Sequence, residues 1–287
     1  MKKLMAILMA AALMLTAAAA FAFDANSEIV VISREEGSGT RGAFIEITGV
    51  LQKDAEGNEI DYTTLDAEIQ NATSQVLVSV AGNEQAIGYI SLASLNETVK
   101  ALKIEGAEAT TENIINGTYK VARPFNIVTK KDGKLSEVAQ NFLDFIMSAE
   151  GQQVISENDA IAIDANAPAF EAKEIEGKVI VGGSTSVGPV MEKLAEAYKA
   201  LNPKADIEVQ GGGSSTGVNQ ALEGTFDIGM ASRAIKDSEI EKGAVSTAIA
   251  MDGIAVIVNP ANETEEVSLE QLRQIFVGEL LNWSDLK

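Results

Sequence analysis

The sequence predicts an α/β protein with helices packed on mostly parallel sheets, because apolar β-type runs alternate with helical periodicities along its length. Three of the strand-to-helix junctions share one chemistry, with glycine and hydroxyl residues between the strand and the helix start. In such folds ligands sit where strand carboxyl ends meet helix amino ends. The first N–H groups of a helix lack intrahelical partners and its dipole favours negative charge there, so one anion site lined by all three junctions is the simplest expectation.

Taken in order, residues 29–32 (Ile-Val-Val-Ile) form the first strand and 40–51 the first helix, with Ser33-Arg34-Glu35-Glu36-Gly37-Ser38-Gly39 between them. Ser38 and Thr40 offer hydroxyl donors, and Gly37 and Gly39 let the backbone approach a ligand closely. Arg34 supplies a planar charged fork, and Glu36 is close enough in sequence to orient it. Taken alone, this stretch serves equally well as a surface turn capping a helix. Residues 52–61 read as a loop or small hairpin, 75–81 as an apolar run, and 86–91 as a buried strand. A small helix spans 110–117. Residues 118–129 alternate but are interrupted by Arg123-Pro124, which predicts two short strands meeting at a bend. Val138, Phe142, Phe145 and Ile146 mark a core-facing helical stripe, a second helix covers 150–158, and 164–176 is a connector.

The second junction joins a strand at 178–181 to a helix opened by Pro189 through Gly182-Gly183-Ser184-Thr185-Ser186-Val187-Gly188. The third joins a strand at 206–209 to a short helix at 218–223 through Gly211-Gly212-Gly213-Ser214-Ser215-Thr216-Gly217. A further strand at 226–230 ends at Ala231-Ser232-Arg233. A long apolar strand at 248–259 is broken by Asp252-Gly253, and Ser268 to Gln271 is a capping-box helix start.

Composition removes several functions. The 287 residues carry a formal charge of −20 with a pI near 4.4, which excludes nucleic acid and anionic membrane surfaces as partners. Histidine and cysteine are both absent, so Ser-His and Cys-His catalysis, disulfides, thiolate metal sites and a lipoprotein anchor are excluded. Lys2 and Lys3, the apolar run 4–20 and Ala20-Phe21-Ala22 read as a signal peptide, 1–22, cleaved on export to the periplasm or the outside. Loss of those two lysines takes the charge from −20 to −22.

Residues 212–217 have Walker-type glycine spacing, but Val218 stands where lysine is required. The chain has no Gly-x-Ser-x-Gly elbow, and its acidic residues are scattered as on a solvated surface, so neither a hydrolase, a metal nor any other cofactor is expected. Asn71-Ala72-Thr73 and three similar tripeptides match a glycan-acceptor pattern that recurs by chance. Trp283, the only tryptophan, is a core residue by expectation.

The segments Gly-Ser-Thr-Ser-Val-Gly-Pro at 183–189, Gly-Gly-Gly-Ser-Ser-Thr-Gly at 211–217 and Ser-Arg-Glu-Glu-Gly-Ser-Gly-Thr-Arg at 33–41 resemble the three phosphate-contact segments of the PstS-type phosphate-binding proteins. So do Asp252-Gly253-Ile254-Ala255-Val256, Ala86-Ile87-Gly88-Tyr89 and the tail from Phe276 to Trp283. The resemblance covers nearly all of the chain after residue 22. It implies a type II periplasmic-binding-protein-like fold of two lobes, each a mixed, mostly parallel sheet flanked by helices, with phosphate in the cleft. In that family the Gly-Ser-Thr-Ser segment comes first, whereas here the second half precedes the first, as in a circular permutant or in the inner halves of two tandem copies joined after loss of the outer ones. The implied continuous lobe is 123–250, and 23–122 with 251–287 forms the other.

Carried over by position, Thr185 and Ser186 donate to phosphate at one helix start and Ser214, next to Ser215, at the second. From the opposite lobe Arg34 pairs with the anion, steadied by Glu36, while Ser38, Gly39 and Thr40 close the ring. Ser232 stands where the best-known members place an aspartate that accepts the phosphate proton. Because Ser232 can donate as well as accept, the choice between phosphate and sulfate stays open. Arg233 either adds positive charge or pairs with a surface acid. The implied function is a receptor that captures inorganic phosphate and delivers it to the membrane permease of a phosphate ABC transporter, without catalysis. Two alternatives remain: a domain-swapped structural or assembly protein, and a binder of sulfate or arsenate with no transport role. A closed permutant would be a monomer and a swapped one a dimer.

Overall fold

Eight strands run through the centre of the molecule in a computed structural model that describes residues 23–286. The expected signal peptide, 1–22, lies outside the described residues, as does Lys287. The strands are β1 (Val30–Arg34), β2 (Glu68–Gln70), β3 (Ala86–Ser91), β4 (Ala122–Lys130), β5 (Gly177–Gly183), β6 (Ala205–Gly211), β7 (Ile228–Ala231) and β8 (Ala244–Val258). They form one sheet in the order β6-β5-β7-β4-β8-β3-β1-β2, and the short strands Lys100–Ala101 and Ile161–Ala162 also pair with β8.

Pairing is parallel at the two ends of the sheet, where β5 lies between β6 and β7 and β1 lies between β2 and β3. The centre is antiparallel, with β4 between β7 and β8 and β8 beside β3. The mostly parallel expectation therefore holds only at the flanks. The centre differs because β4 and β8 pair antiparallel along their length, Ala122 to Lys130 against Gly253 to Ala244, a long-range pairing that local periodicity does not reveal.

Both central strands run through positions that the sequence marks as breaks. β4 is one strand rather than two. Pro124 pairs with Met251 of β8 but lies outside the stretch facing β7, so its missing N–H can face an open side. Asp252-Gly253 does not break β8 either; the irregularity falls between Ala248 and Ala250. Asp252 is satisfied inside the sheet by Arg123, directly opposite it in register.

The helices that matter to the site are α1 (Gly39–Thr48), α2 (Thr73–Ala81), α3 (Glu137–Ile146), α4 (Ala149–Glu157), α5 (Gly188–Leu201), α6 (Ser214–Glu223) and α7 (Leu269–Phe276). Hydroxyl caps start several of them: the side chains of Ser38, Ser136, Ser148 and Ser268 each accept a backbone N–H of the first turn. α6 begins four residues earlier than its apolar spacing predicts, so Ser214 and Ser215 are helical residues rather than turn residues.

The buried apolar side chains gather in two regions. One is drawn from between Phe125 and Ala250, with Phe142, Phe145 and Tyr198 at its centre. The other is drawn from residues before Ala122 and after Gly253, including Phe44, Tyr89, Phe276 and Trp283. β8 contributes to both. The beginning and end of the described chain lie side by side, with Ser284 N donating to Ala25 O and Ile29 N to Leu281 O, each at 2.7 Å.

Candidate functional site

β1 ends at Arg34, whose side chain is 2% exposed. Tyr89 on β3 fixes that strand end. Its hydroxyl lies 2.9 Å from Ser33 Oγ and accepts from Arg34 N at 3.3 Å, while its ring stacks on Phe44 of α1 at 4.0 Å. Burial pushes the Tyr89 phenol up to about 12, so it remains neutral at physiological pH.

One edge of the Arg34 fork belongs to Glu35, with Nε donating to Oε2 and Nη2 to Oε1, both at 2.9 Å. The other edge faces hydroxyls: Nη1 is 3.4 Å from Thr73 Oγ1 and Nη2 is 3.1 Å from Thr185 Oγ1. Glu36, to which sequence proximity assigns the steadying role, is exposed. The turn closed by Ser38 N donating to Glu35 O at 3.0 Å folds Glu35 back onto the arginine and turns Glu36 outward.

The three junctions then meet. Thr40 Oγ1 lies 2.8 Å from Ser186 Oγ, joining the starts of α1 and α5. Gly39 packs so closely on α6 that a Cβ there would fall on Ser214 Oγ and lie 2.8 Å from Ser232 Oγ. Ser232 N donates to Ser214 Oγ at 3.0 Å, and Ser184 Oγ donates to Ser232 Oγ at 2.9 Å. Ser38, Thr40, Ser186, Ser214 and Ser232 are all buried, and Thr185 is half-buried. Ser215 N donates to Gly37 O at 3.1 Å, a second link between the halves. Gly213, which precedes α6, has φ +85°, where a side chain would be strained and would press on Glu35 Oε1 and Gly37 O.

Two features escape the sequence reading. A fourth helix start joins the ring: Thr73 opens α2, and its Oγ1 lies 3.3 Å from both Thr185 Oγ1 and Ser186 Oγ. Its tripeptide matches a glycan acceptor and has no glycine; the available signal was a hydroxyl pair, Thr73-Ser74, opening an apolar run. Beneath the ring, Arg123 donates from Nη1 to Ser232 O at 3.0 Å and from Nη2 to Asp252 Oδ2 at 3.1 Å. Asp252 in turn accepts from Ser91 Oγ at 2.9 Å. Burial pushes the Asp252 carboxyl up, against the pull of Arg123, and burial pushes the Arg123 guanidinium down.

Arg233 pairs with an acid, but a buried one: it donates to both Glu239 oxygens, at 2.8 and 2.7 Å. Burial alone would raise the Glu239 carboxyl, yet the Arg233 pair holds it below the usual carboxylate range. Arg233 Nη2 also reaches Ser215 Oγ at 3.4 Å. Each arginine near the ring thus has its own carboxylate: Arg34 with Glu35, Arg41 with Asp61, Arg123 with Asp252, and Arg233 with Glu239. What the ring presents inward is a set of hydroxyls, helix starts and one guanidinium edge, without a large net positive charge. Such a set suits a small oxyanion held by hydrogen bonds.

Comparison with known proteins adds an independent line. A family model described as "PBP superfamily domain" matches residues 16–150 and 168–287. The chain is 49% identical over 263 residues to phosphate-binding protein PstS 2 of Streptococcus agalactiae, covering 92% of this chain and 89% of that one. It is 34% identical to phosphate-binding protein PstS of Bacillus subtilis over 116 residues, covering 40% of this chain and 39% of that one. The crystal structure of a phosphate-binding protein of a phosphate ABC transporter from Streptococcus pneumoniae superposes with a TM-score of 0.71 at 48% identity, covering 91% of this chain and all of that one.

Proposed function

The chain belongs to the PBP superfamily and, within it, to the proteins named phosphate-binding protein PstS, and we propose that it captures inorganic phosphate between two lobes and delivers it to an ABC transporter permease. One observation carries this reading. Arg34, Thr40, Thr73, Ser184, Thr185, Ser186, Ser214 and Ser232 close on one another through contacts such as Thr40 to Ser186 at 2.8 Å, although they come from distant parts of the chain. Thr185, Ser186, Ser214, Ser232, Ser38 and Thr40 donate to the anion, Gly39 gives the backbone access, Arg34 supplies charge, and Thr73 joins them. Glu35 holds the arginine. The protein performs no chemistry, and it acts outside the cytoplasm; among the described residues no helix is long and apolar enough to cross a membrane.

The lobes of this reading are 123–250 and 23–122 with 251–287, in permuted order. The two core regions divide at those places, and the adjacent chain ends supply the geometry permutation needs. The comparisons support the same idea. A colinear match reaches 92% of the chain in the streptococcal relative but only 40% in the Bacillus one, as expected when only one half can align at a time. Arg34 and Thr185 meet within one chain, so no exchange of lobes between copies is needed and a monomer is expected on sedimentation.

Titration calorimetry of residues 23–287 with phosphate tests the reading. Saturable heat at micromolar concentrations is expected, and its absence overturns the proposal. Ser232 favours a second reading, another tetraoxyanion, because its hydroxyl lies among the donors Ser184 and Ser214 rather than presenting a carboxylate. Sulfate that competes with phosphate at equal concentration would support it.

A further inference from the structure

We propose a second ligand site at the start of α3, remote from the hydroxyl ring, that takes a small zwitterion of the amino-acid class with its carboxylate on Asn141.

A cavity of about 500 Å³ opens where the end of β4, the first turns of α3 and the connector before β5 come together. That volume falls in the range of small-molecule sites, roughly 300–1,000 Å³. Its lining shares no residue with the ring. Thr129 marks its place on β4, six residues beyond Arg123 and so about 20 Å along the strand from the base of the ring.

Asn141 is the most buried residue of the lining, 5% exposed, and the backbone of the connector decides which way its amide points. Ile175 N donates to Asn202 Oδ1 at 3.2 Å and Asn202 Nδ2 donates back to Ile175 O at 3.0 Å, which fixes that amide. Asn202 Nδ2 also donates to the Tyr198 hydroxyl at 3.2 Å, so the phenol gives its own proton to Asn141 Oδ1, at 2.9 Å. Burial pushes the Tyr198 phenol up, so that proton stays in place. The relay has one polarity. It ends with Asn141 Nδ2 facing the cavity, without a hydrogen-bond partner among the described residues. A buried donor left open in this way calls for an acceptor on a ligand.

The surrounding charges set the class of that ligand. Lys134 and Lys173 line the cavity, neither forms an ion pair among the described residues, and the first turn of α3 adds its open N–H groups. A carboxylate on Asn141 suits all of them. Glu137 and Asp144 share one face of α3 with Asn141, four residues before it and three after. They balance the two lysines, so a dianion meets repulsion, while a ligand with one carboxylate and one ammonium finds a partner for each. Leu135 and Ile175 offer apolar contact to its side chain.

The experiment titrates isotope-labelled residues 23–287 with L-glutamine and, separately, with succinate, reading the Asn141 side-chain amide and the backbone amides of the first turn of α3 by NMR. A saturable shift at millimolar glutamine or below is expected, with succinate at least tenfold weaker. Asn141→Asp keeps the acceptor for Tyr198 and turns the open donor into a carboxylate oxygen, so it should weaken glutamine at least tenfold. Lys173→Gln changes an exposed residue outside every helix and strand, so it leaves the fold intact and should weaken glutamine about threefold. If Asn141→Asp fails to fold, Lys173→Gln decides alone. No shift with glutamine overturns the proposal, as does binding indifferent to the substitutions. Succinate that binds as tightly as glutamine overturns the assignment of a zwitterion.

Discussion

Glu35 and Glu36 are adjacent in the sequence, but one lies against a buried guanidinium and the other in solvent. Arg34 is 2% exposed, and removing the charge that faces it leaves a buried cation with weaker hydrogen bonds. A charge-assisted bond of this kind contributes about 1.5–3 kcal/mol, so Glu35→Gln should lower the thermal midpoint by several degrees. Glu36→Gln should leave it unchanged. Equal shifts in the two melts would return the steadying role to Glu36. At this scale the sequence shows residue types well and partners poorly. Ser38, Thr40, Thr185, Ser186 and Ser214 are legible because glycine and hydroxyl residues between a strand and a helix have few other reasons to occur together. Which glutamate turns inward depends on a four-residue turn that spacing does not show. Thr73 stays hidden because its junction lacks glycine, and its role exists only once three other helix starts surround it.

Among the elements, β4 and β8 show most clearly how local signals can mislead. Pro124 and Asp252-Gly253 are local breakers, and both are overridden by pairing between residues more than a hundred positions apart. The Arg123–Asp252 pair joins those strands in register, and both side chains are at most 1% exposed. Burial of the two charges is costly, so the pair helps the fold mainly by being complete. Asp252→Asn, which leaves Arg123 uncompensated, should cost about 3–5 kcal/mol in urea unfolding. The double change Arg123→Met with Asp252→Leu should recover most of that loss. An unchanged midpoint in the single variant would refute this account. The junctions themselves are legible, since the strand-to-helix switch is written in local periodicity. The antiparallel centre of the sheet is not, because strand direction depends on contacts far away in sequence.

At the scale of the whole molecule, two core regions are joined by β8, which supplies side chains to both, and the first and last described residues lie side by side. Connecting residue 23 to residue 286 by a short flexible linker and reopening the chain within 164–176 would put the Gly-Ser-Thr-Ser segment first. The reopened stretch is largely exposed, so few contacts are lost. Such a rearranged chain should fold as a monomer and bind phosphate within about threefold of the parent, since no contact in the ring depends on which connection is cut. Loss of folding would show that the present order is required for assembly. The clasp between the two ends has a mechanical side as well. Glu28 bridges to Asn282, and the strand that follows leads straight to Arg34. A pulling force applied at residue 23 would peel this clasp open and then load that strand, so the strain would reach the guanidinium before any other part of the grip.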